Sequence, residues 1–346
     1  MGRAQRPLVI VPYRTYGTRS LLTVCGRLLR RRPLRAATPK DRRWRNLLAF
    51  YRHLRSDEVA GEQLVARLGG REAGGITDAE GYFTIALSVR GQRLTSFNKV
   101  EVHLEWDASV RASAEVMIPS SRARFGVISD IDDTVVETNA LRKASMLLTV
   151  ALSNAHTRKP FKGVAQFYRA LHAGGANPFF YVSKSPWNLY PVLTEFFALQ
   201  RLPDGPLLLR DYGLHMLSRG ADHKGGSIED ILATYPKLPF VLIGDSGESD
   251  PEIYAGVLRR HPKRIRAIYI RSVDPAPGRI RAIEALAAQV AKTGCQLVLA
   301  RDSEVAAAHA AAEGLVQPSE LRSVRRGRVS DESIASRVAA STGVLK

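Results

Sequence analysis

The sequence has little cysteine and no long apolar run, and both absences narrow the class of protein. Only two cysteines, Cys25 and Cys295, occur in 346 residues. The chain therefore has neither a disulfide framework nor a thiolate metal site, and we expect a reducing compartment. The apolar run at residues 8–11 is too short for a signal-peptide core, and no stretch approaches the roughly 20 apolar residues of a spanning helix. We expect a cytoplasmic protein that meets membranes at most peripherally.

Acidic residues are scarce beside basic ones, which gives the chain a net charge of +18. Residues 1–60 hold 15 Lys/Arg against three acidic residues, a net charge of +12. A surface of this kind attracts polyanions such as an anionic membrane or nucleic acid, but a basic surface that merely keeps the protein soluble explains it as well. The sequence also predicts a basic amphipathic helix over residues 36–56, whose apolar residues either pack on a sheet or contact lipid.

Apolar patterning divides the chain into three predicted regions. Residues 1–119 hold short or alternating apolar runs between turn residues, which predicts a smaller β-rich N-terminal domain. Residues 120–315 alternate continuous apolar runs with helical stretches, which predicts an α/β fold with a doubly wound parallel sheet. Residues 316–346 are polar, carry a basic RRGR cluster, and are expected to form a flexible tail.

Polar residues follow the predicted parallel strands where each strand ends. The strand candidates are FGVIS, PFFYVS, PLLLR, PFVLIG, IRAIYIR and, as a possible sixth, CQLVLA. Asp130 follows the first of them, Ser183 ends the second, and Asp245 and Arg271 stand at the ends of two later ones. In open α/β sheets the ligand site lies beyond the carboxyl ends of the strands. We therefore expect these side chains to share one site.

Asp130, Asp132 and Asp133 form a cluster of three aspartates directly after a buried strand. Burying carboxylates this close together requires a neutralising cation, and a hard ion such as Mg²⁺ also binds phosphate oxygens. One carboxylate can act as a nucleophile in phosphoryl transfer, and the next can protonate the leaving oxygen. The alternative is a turn-and-cap cluster, since Asp favours such positions.

Three further residues extend this candidate phosphate site. Asp245 follows a second buried strand as a candidate metal ligand, and Asp250 either holds a metal-bound water or caps the helix that starts there. Ser183 precedes a helix start, where amides favour anions. Lys224 opens another helix and can offset negative charge, although a lysine on its own is more often a solvated surface residue.

The order of these parts resembles that of the haloacid dehalogenase (HAD) superfamily of phosphohydrolases. More specific strings are SDIDDTVVET, FFYVSKSPWNLY, HKGGSIEDIL and FVLIGDSGESDPEIY. They resemble the catalytic domain family of phosphatidate phosphatase APP1 over about residues 122–275. The strings PYRTYGT and TDAEGYF in the N-terminal region are similar to the extra β-domain of the bacterial members.

The resemblance implies a HAD-like fold and Mg²⁺-dependent hydrolysis of phosphatidic acid to diacylglycerol and phosphate through an aspartyl-phosphate. It implies Asp130 as the nucleophile and Asp132 as the general acid and base. It also implies that Ser183 and Lys224 hold the phosphoryl group. The segment Thr138–Thr157 stands where HAD enzymes carry a cap, and its shortness implies an open site.

The resemblance also implies the metal ligands. They are Asp130, the backbone carbonyl of Asp132, and Asp245, with Asp250 as the second acidic position of the last motif. Two other functions stay open: a phosphatase for a soluble phosphomonoester such as a sugar or nucleotide phosphate, and a nucleic-acid or membrane-binding module whose phosphatase site is idle. Because the acidic set is intact, we do not expect nucleic acid as the partner. We expect phosphatidic acid as substrate, with an anionic membrane met through the basic N-terminal region.

Overall fold

The computed structural model describes residues 6–30, 58–131, 163–210, 223–273 and 276–329. Backbone contacts group the chain into two compact units. One comprises Met1–Ser120, Ser185–Glu195 and Gly205–Ser218, and the other Ser121–Lys184, Phe196–Asp204 and Arg219–Lys346. The helix predicted over 36–56 and the cap predicted at Thr138–Thr157 lie outside the described residues. Both stay predictions, as do the domain boundaries.

The N-terminal region is built from antiparallel sheets. Its strands are β1 (Leu8–Tyr13), β2 (Thr15–Tyr16), β3 (Leu21–Arg30), β4 (Gln63–Leu68), β5 (Arg71–Ile76), β6 (Tyr82–Ser88), β7 (Phe97–Leu104) and β8 (Arg111–Met117). They form two sheets in the orders β1-β3-β6 and β2-β8-β7-β4-β5, antiparallel apart from the short β2–β8 pair. Buried side chains from both sheets share one apolar core, as in a β-sandwich.

Sequence patterning predicts β1, β3, β6 and β7 but not the other N-terminal strands. The strand β5 shows the physical reason, because Gly74, Gly75 and its charged residues leave no apolar alternation to recognise. A Cβ at Gly75 would lie 2.6 Å from the Ile85 side chain. Close packing against Ile85, on β6 of the other N-terminal sheet, therefore requires glycine at this position, and β propensity does not decide it.

A third sheet is parallel and carries the candidate site. Its strands are β9 (Gly126–Asp130), β10 (Phe179–Pro186), β11 (Leu207–Arg210), β12 (Phe240–Asp245), β13 (Ile265–Arg271) and β14 (Leu297–Ala300). They lie in the order β11-β10-β9-β12-β13-β14, and the pairs from β10 through β14 are parallel. Every residue of β9 and β12 is buried, as continuous apolar runs predict for central strands. The predicted fold class, including the sixth strand, is confirmed.

Helices connect these parallel strands. They are α1 (Val164–His172), α2 (Tyr190–Gln200), α3 (His223–Thr234), α4 (Asp250–Arg260), α5 (Pro277–Ala291) and α6 (Ser303–Ala312). Helix α1 packs beside α6, while α4 packs between α3 and α5. A helix that links two parallel strands runs back along the sheet, so its N-terminus lies at the carboxyl edge. Among the described residues no helix is long and apolar enough to cross a bilayer.

The structure describes residues 316–329 of the segment that composition predicts to be a flexible tail. Residues 318–320 form a 3-10 turn and residues 321–329 are helical. Leu315, Val316 and Val324 are buried. These few apolar side chains anchor the segment although its composition is polar, because an amphipathic helix needs only one apolar face to pack.

Candidate active site

The carboxyl edge of the parallel sheet brings the predicted strand-end residues together. Asp130 ends β9 and Asp245 ends β12, the strand that pairs with it. Ser183 is fully buried and directly follows Val182, the register partner of Asp130 on β10. The three side chains thus stand on adjacent central strands. Asp132 lies outside the described residues, so its predicted roles stay predictions.

Lys224 is buried at the start of α3 and faces three carboxylates. Its side chain is 1% exposed, which excludes a solvated surface lysine. The ammonium nitrogen lies 2.8 Å from an Asp130 oxygen, 2.5 Å from Asp250 Oδ1 and 3.1 Å from Glu248 Oε2. Burial alone would lower the pKa of Lys224, but the charges of Asp130 and Asp250 outweigh it and raise that pKa. The lysine therefore stays protonated beside Asp130.

Asp250 is a site residue and not a helix cap. It is fully buried as the first residue of α4, whose N-cap position belongs to Ser249. One Asp250 oxygen bonds Lys224, and the other accepts the backbone N–H of Asp245 at 3.2 Å. Burial raises the pKa of Asp250 to about 6 against the lowering effect of Lys224. Gly244 makes this fit possible, because a Cβ there would lie 2.7 Å from the Asp250 Cβ.

Asp245 is oriented by the loop that follows it. Its Oδ1 accepts the backbone N–H groups of Gly247 at 2.6 Å and Glu248 at 3.0 Å. Its Oδ2 is buried and has no hydrogen-bond partner among the described residues. A buried carboxylate oxygen without a partner is costly unless a ligand satisfies it. The loop thus leaves one Asp245 oxygen available to a cation.

The carboxylates fit a divalent cation. Asp130, Asp245 and Asp250 each offer one oxygen, and these oxygens lie within 4.8 Å of one another. Opposite oxygen ligands of one Mg²⁺ ion are about 4.2 Å apart, twice the usual bond length. The three aspartates carry three negative charges. Lys224 and Arg271, which lines the cavity beside Asp130 and Asp245, carry two positive charges, so one negative charge is in excess. The donor set is hard oxygen, which suits Mg²⁺.

Glu248 is a site residue that sequence reasoning did not single out. Its Oε2 lies 2.9 Å from the Lys184 ammonium and 3.1 Å from that of Lys224. Burial would raise the pKa of Glu248, but the two lysines outweigh it and lower that pKa. The structure thus places Lys184 beside the site through Glu248. The acid lies inside the Gly244–Asp250 string, so its position in the motif was the available signal.

Arg279 holds the loop from the start of α5 and was also not predicted. Its guanidinium donates to the carbonyl of Ser246 at 3.1 Å and to that of Glu248 at 2.7 Å. It also pairs with Glu252, at 3.0 Å for one of the two bonds. With its carbonyls held by Arg279, the loop turns its amides toward Asp245. No motif marks Arg279, because its two contacts with the loop are to backbone carbonyls, which any sequence offers.

Tyr168, on α1, supports the end of β9. Its hydroxyl lies 2.7 Å from the Ser129 hydroxyl, which donates to the carbonyl of Asp130 at 2.9 Å. Burial raises the pKa of Tyr168 to about 12, so the phenol stays protonated. A cavity beside these hydrogen bonds is lined by Asp130, Asp245 and Arg271 and by side chains from α1 and α6. The starts of both helices therefore adjoin the site.

Comparison with known proteins gives one family and two relatives. Residues 125–272 match the family model described as "Phosphatidate phosphatase APP1, catalytic domain". Phosphatidate phosphatase APP1 of Saccharomyces cerevisiae is 31% identical over 208 residues, which are 57% of this chain and 34% of that protein. An uncharacterized protein of Schizosaccharomyces pombe is 32% identical over 210 residues, with the same shares. The chain thus spans about a third of the length of these relatives.

Among solved structures, the PilB minor pilin from Streptococcus sanguinis aligns with a TM-score of 0.28 at 9% identity. The alignment covers 74% of this chain and 87% of that one. A likeness of this size supports no conclusion about fold or function.

Proposed function

We propose that the protein is a Mg²⁺-dependent phosphatidate phosphatase, because residues 125–272 match the model of the catalytic domain family of phosphatidate phosphatase APP1. The observation that carries the proposal is the buried Asp130, held by Lys224 next to the available oxygen of Asp245. This arrangement joins a carboxylate nucleophile, a fixed positive charge and a cation site. We also propose that the domain is of the HAD type and that the chain is of the bacterial type.

The first proposed step transfers the phosphoryl group to Asp130. A carboxylate oxygen of Asp130 attacks phosphorus while the bond from phosphorus to the glycerol oxygen breaks. Asp132 gives its proton to that leaving oxygen, which releases diacylglycerol and leaves an aspartyl-phosphate. The protonated Lys224 and the hydroxyl of Ser183 stabilise the phosphoryl oxygens during the transfer.

The second proposed step returns the enzyme to its starting state. Asp132, now ionised, takes a proton from water, and the water oxygen attacks the phosphorus of the aspartyl-phosphate. The bond from phosphorus to the Asp130 oxygen breaks, which restores the carboxylate and frees inorganic phosphate. The two steps together consume one water molecule, return the proton to Asp132 and need no oxidant.

Asp130, Asp245 and Asp250 are the described residues that would hold Mg²⁺, together with the carbonyl of Asp132. Mg²⁺, when bound, neutralises negative charge on the phosphate oxygens. Asp250 acts mainly through other groups, because its two oxygens hold the Lys224 ammonium and the Asp245 amide. We propose it as a positioning residue at the edge of the metal site.

The substrate is proposed from the family and from the name of the yeast relative. The same site chemistry serves any phosphomonoester, so a soluble phosphate is the competing substrate. We propose a cytoplasmic enzyme that meets its lipid substrate at a membrane surface.

The variant Asp130→Asn tests the nucleophile. We expect phosphate release from phosphatidic acid to fall by roughly 10⁴-fold or more, because an amide cannot form the aspartyl-phosphate. The matched control is Asp78→Asn, since Asp78 Oδ1 accepts the backbone N–H groups of Glu80 and Tyr82 in a turn of the N-terminal region and an asparagine oxygen can accept them as well. Circular dichroism verifies the fold of both variants. Activity of Asp130→Asn near that of the control would refute the mechanism.

A further inference from the structure

The helix of residues 321–329 carries an exposed basic stripe. Arg322, Arg325, Arg326 and Val329 are all exposed. They are spaced at i, i+3, i+4 and i+7, so they lie on one helix face. Val324 points the other way and is 1% exposed. Arg322 and Arg326 have no ion-pair partner among the described residues, so their charges face solvent.

This basic stripe lies at the carboxyl edge of the parallel sheet. Arg328, on the same helix, donates to Glu304 Oε2 at 2.9 Å, and Arg325 lies 3.5 Å from Glu304 Oε1. Glu304 is in the first turn of α6, which begins just after β14 ends. Arg301, in the same connection, has a side chain that is 85% exposed. Arg301 and the arginines of the stripe therefore lie at the β14 end of the same carboxyl edge at which Asp130 ends β9.

Two glycines let the basic helix approach so closely. At Gly163, before α1, a Cβ would lie 3.0 Å from the Val324 carbonyl oxygen and 3.3 Å from the Arg328 nitrogen. This glycine also has a φ of +78°, which favours glycine in any case. At Gly327 a Cβ would lie 2.6 Å from the Gln166 side-chain oxygen. The helix is thus packed against α1 at a defined place, beside the cavity that Asp130 lines.

The charges and the end of the stripe indicate the kind of partner. Glu304, the acid beside the stripe, is already matched by Arg325 and Arg328. The remaining positive charge attracts a polyanion. Val329 is 51% exposed at the last described turn of the stripe, and an apolar side chain next to arginines suits the boundary between lipid headgroups and acyl chains.

We propose that Arg322, Arg325 and Arg326, with Arg301 beside them, bind an anionic lipid surface and direct the carboxyl edge of the sheet toward it. The choice of a membrane over another polyanion rests on the proposed function, because phosphatidic acid is itself an anionic lipid. This proposed anchor is the helix of residues 321–329, which packs against α1, and it is distinct from the basic N-terminal region. A substrate headgroup in that surface then faces Asp130.

The test combines vesicle binding with activity on the full chain. The stripe variant replaces Arg322, Arg325 and Arg326 by Gln. Sedimentation with vesicles of phosphatidylcholine plus phosphatidylserine, a lipid with no phosphomonoester, measures binding without turnover. We expect the stripe variant to bind roughly 100-fold more weakly, because each basic side chain at an anionic surface adds to the affinity. Binding by the wild type should weaken with salt.

The matched control removes the same charge from the opposite edge. It replaces Arg259, Lys263 and Arg266 by Gln, three exposed residues at the end of α4 and the start of β13. We expect it to bind vesicles like the wild type. A stripe variant that also binds within about twofold of wild type would overturn the proposal. So would vesicle binding that is unchanged while binding to RNA is lost, which would make nucleic acid the partner.

Activity separates this proposal from the proposed function. The stripe variant should lose activity on phosphatidic acid in vesicles but keep wild-type activity on a short-chain phosphatidic acid in solution. If the wild type hydrolyses neither lipid yet binds vesicles through the stripe, the proposed function fails and the lipid-binding surface stands. Equal loss of activity on both substrates, with vesicle binding intact, would contradict the surface role.

Discussion

At the scale of single residues, the position of Asp250 depends on the absence of a side chain at Gly244. We predict that Gly244→Ala destabilises the protein by about 2–3 kcal/mol, because the added methyl overlaps a buried carboxylate that is bonded on both oxygens. Chemical denaturation measures this free energy of unfolding. Phosphatase activity should fall together with stability, since Asp250 holds Lys224.

Gly256→Ala is the control for that variant. Gly256 is in the same helix, α4, and an added Cβ would meet only the ends of two arginine side chains at 3.5 and 3.8 Å. Alanine in a helix interior should stabilise by up to about 1 kcal/mol. Equal stability of the two alanine variants would show that Asp250 can shift without cost, and that Gly244 is not required.

Sequence reasoning reached the residues that carry chemistry and missed those that position them. Asp130, Asp245 and Lys224 each follow a strand or open a helix in a recognisable string, so their meeting point follows from topology. Glu248 contacts Lys184 and Lys224, and Arg279 donates to the carbonyls of Ser246 and Glu248. Contacts of that kind depend on the three-dimensional path of a loop, which no residue pattern encodes.

At the scale of elements, helix α5 fixes the loop after β12 through Arg279. We predict that Arg279→Lys weakens Mg²⁺ binding roughly 10-fold or more, because a lysine cannot reach both loop carbonyls and Glu252 at once. The measurement is the Mg²⁺ concentration that half-saturates the rise in melting temperature, which needs no substrate.

Arg281→Lys is the matched control, since Arg281 lies two residues further along α5 and is exposed. It should leave the half-saturating Mg²⁺ concentration unchanged. If Arg279→Lys also leaves it unchanged while lowering the melting temperature without Mg²⁺, Arg279 supports the fold alone and has no role in shaping the metal site.

The elements themselves were predictable to different degrees. Strands of the parallel sheet are continuous apolar runs, because both faces are covered, and all six are visible in the sequence. Edge and Gly-rich strands such as β5 are not, since their partners determine their residues. Composition predicts a tail over residues 321–329 because charged residues dominate it, and only Val324 and the small Gly327 are buried there.

At the scale of the whole molecule, the net charge of the chain and the charge of the candidate site have opposite signs. The chain carries +18, yet the described part of the catalytic site holds an excess of carboxylates. An acidic, cation-binding centre within a basic surface suits a substrate that is an anion held in an anionic layer. Under the proposed function, the surface would attract the layer and the centre would take up a divalent cation before a phosphate approaches.

The most direct test of the central claim is a substrate panel with Mg²⁺ and with a chelator. Phosphate release is measured from phosphatidic acid in micelles and from soluble sugar and nucleotide phosphates. We expect release from phosphatidic acid with Mg²⁺, at a kcat/KM about tenfold or more above that of every soluble phosphate, and none with chelator. A soluble phosphate preferred by a similar factor, or full activity in chelator, would contradict it.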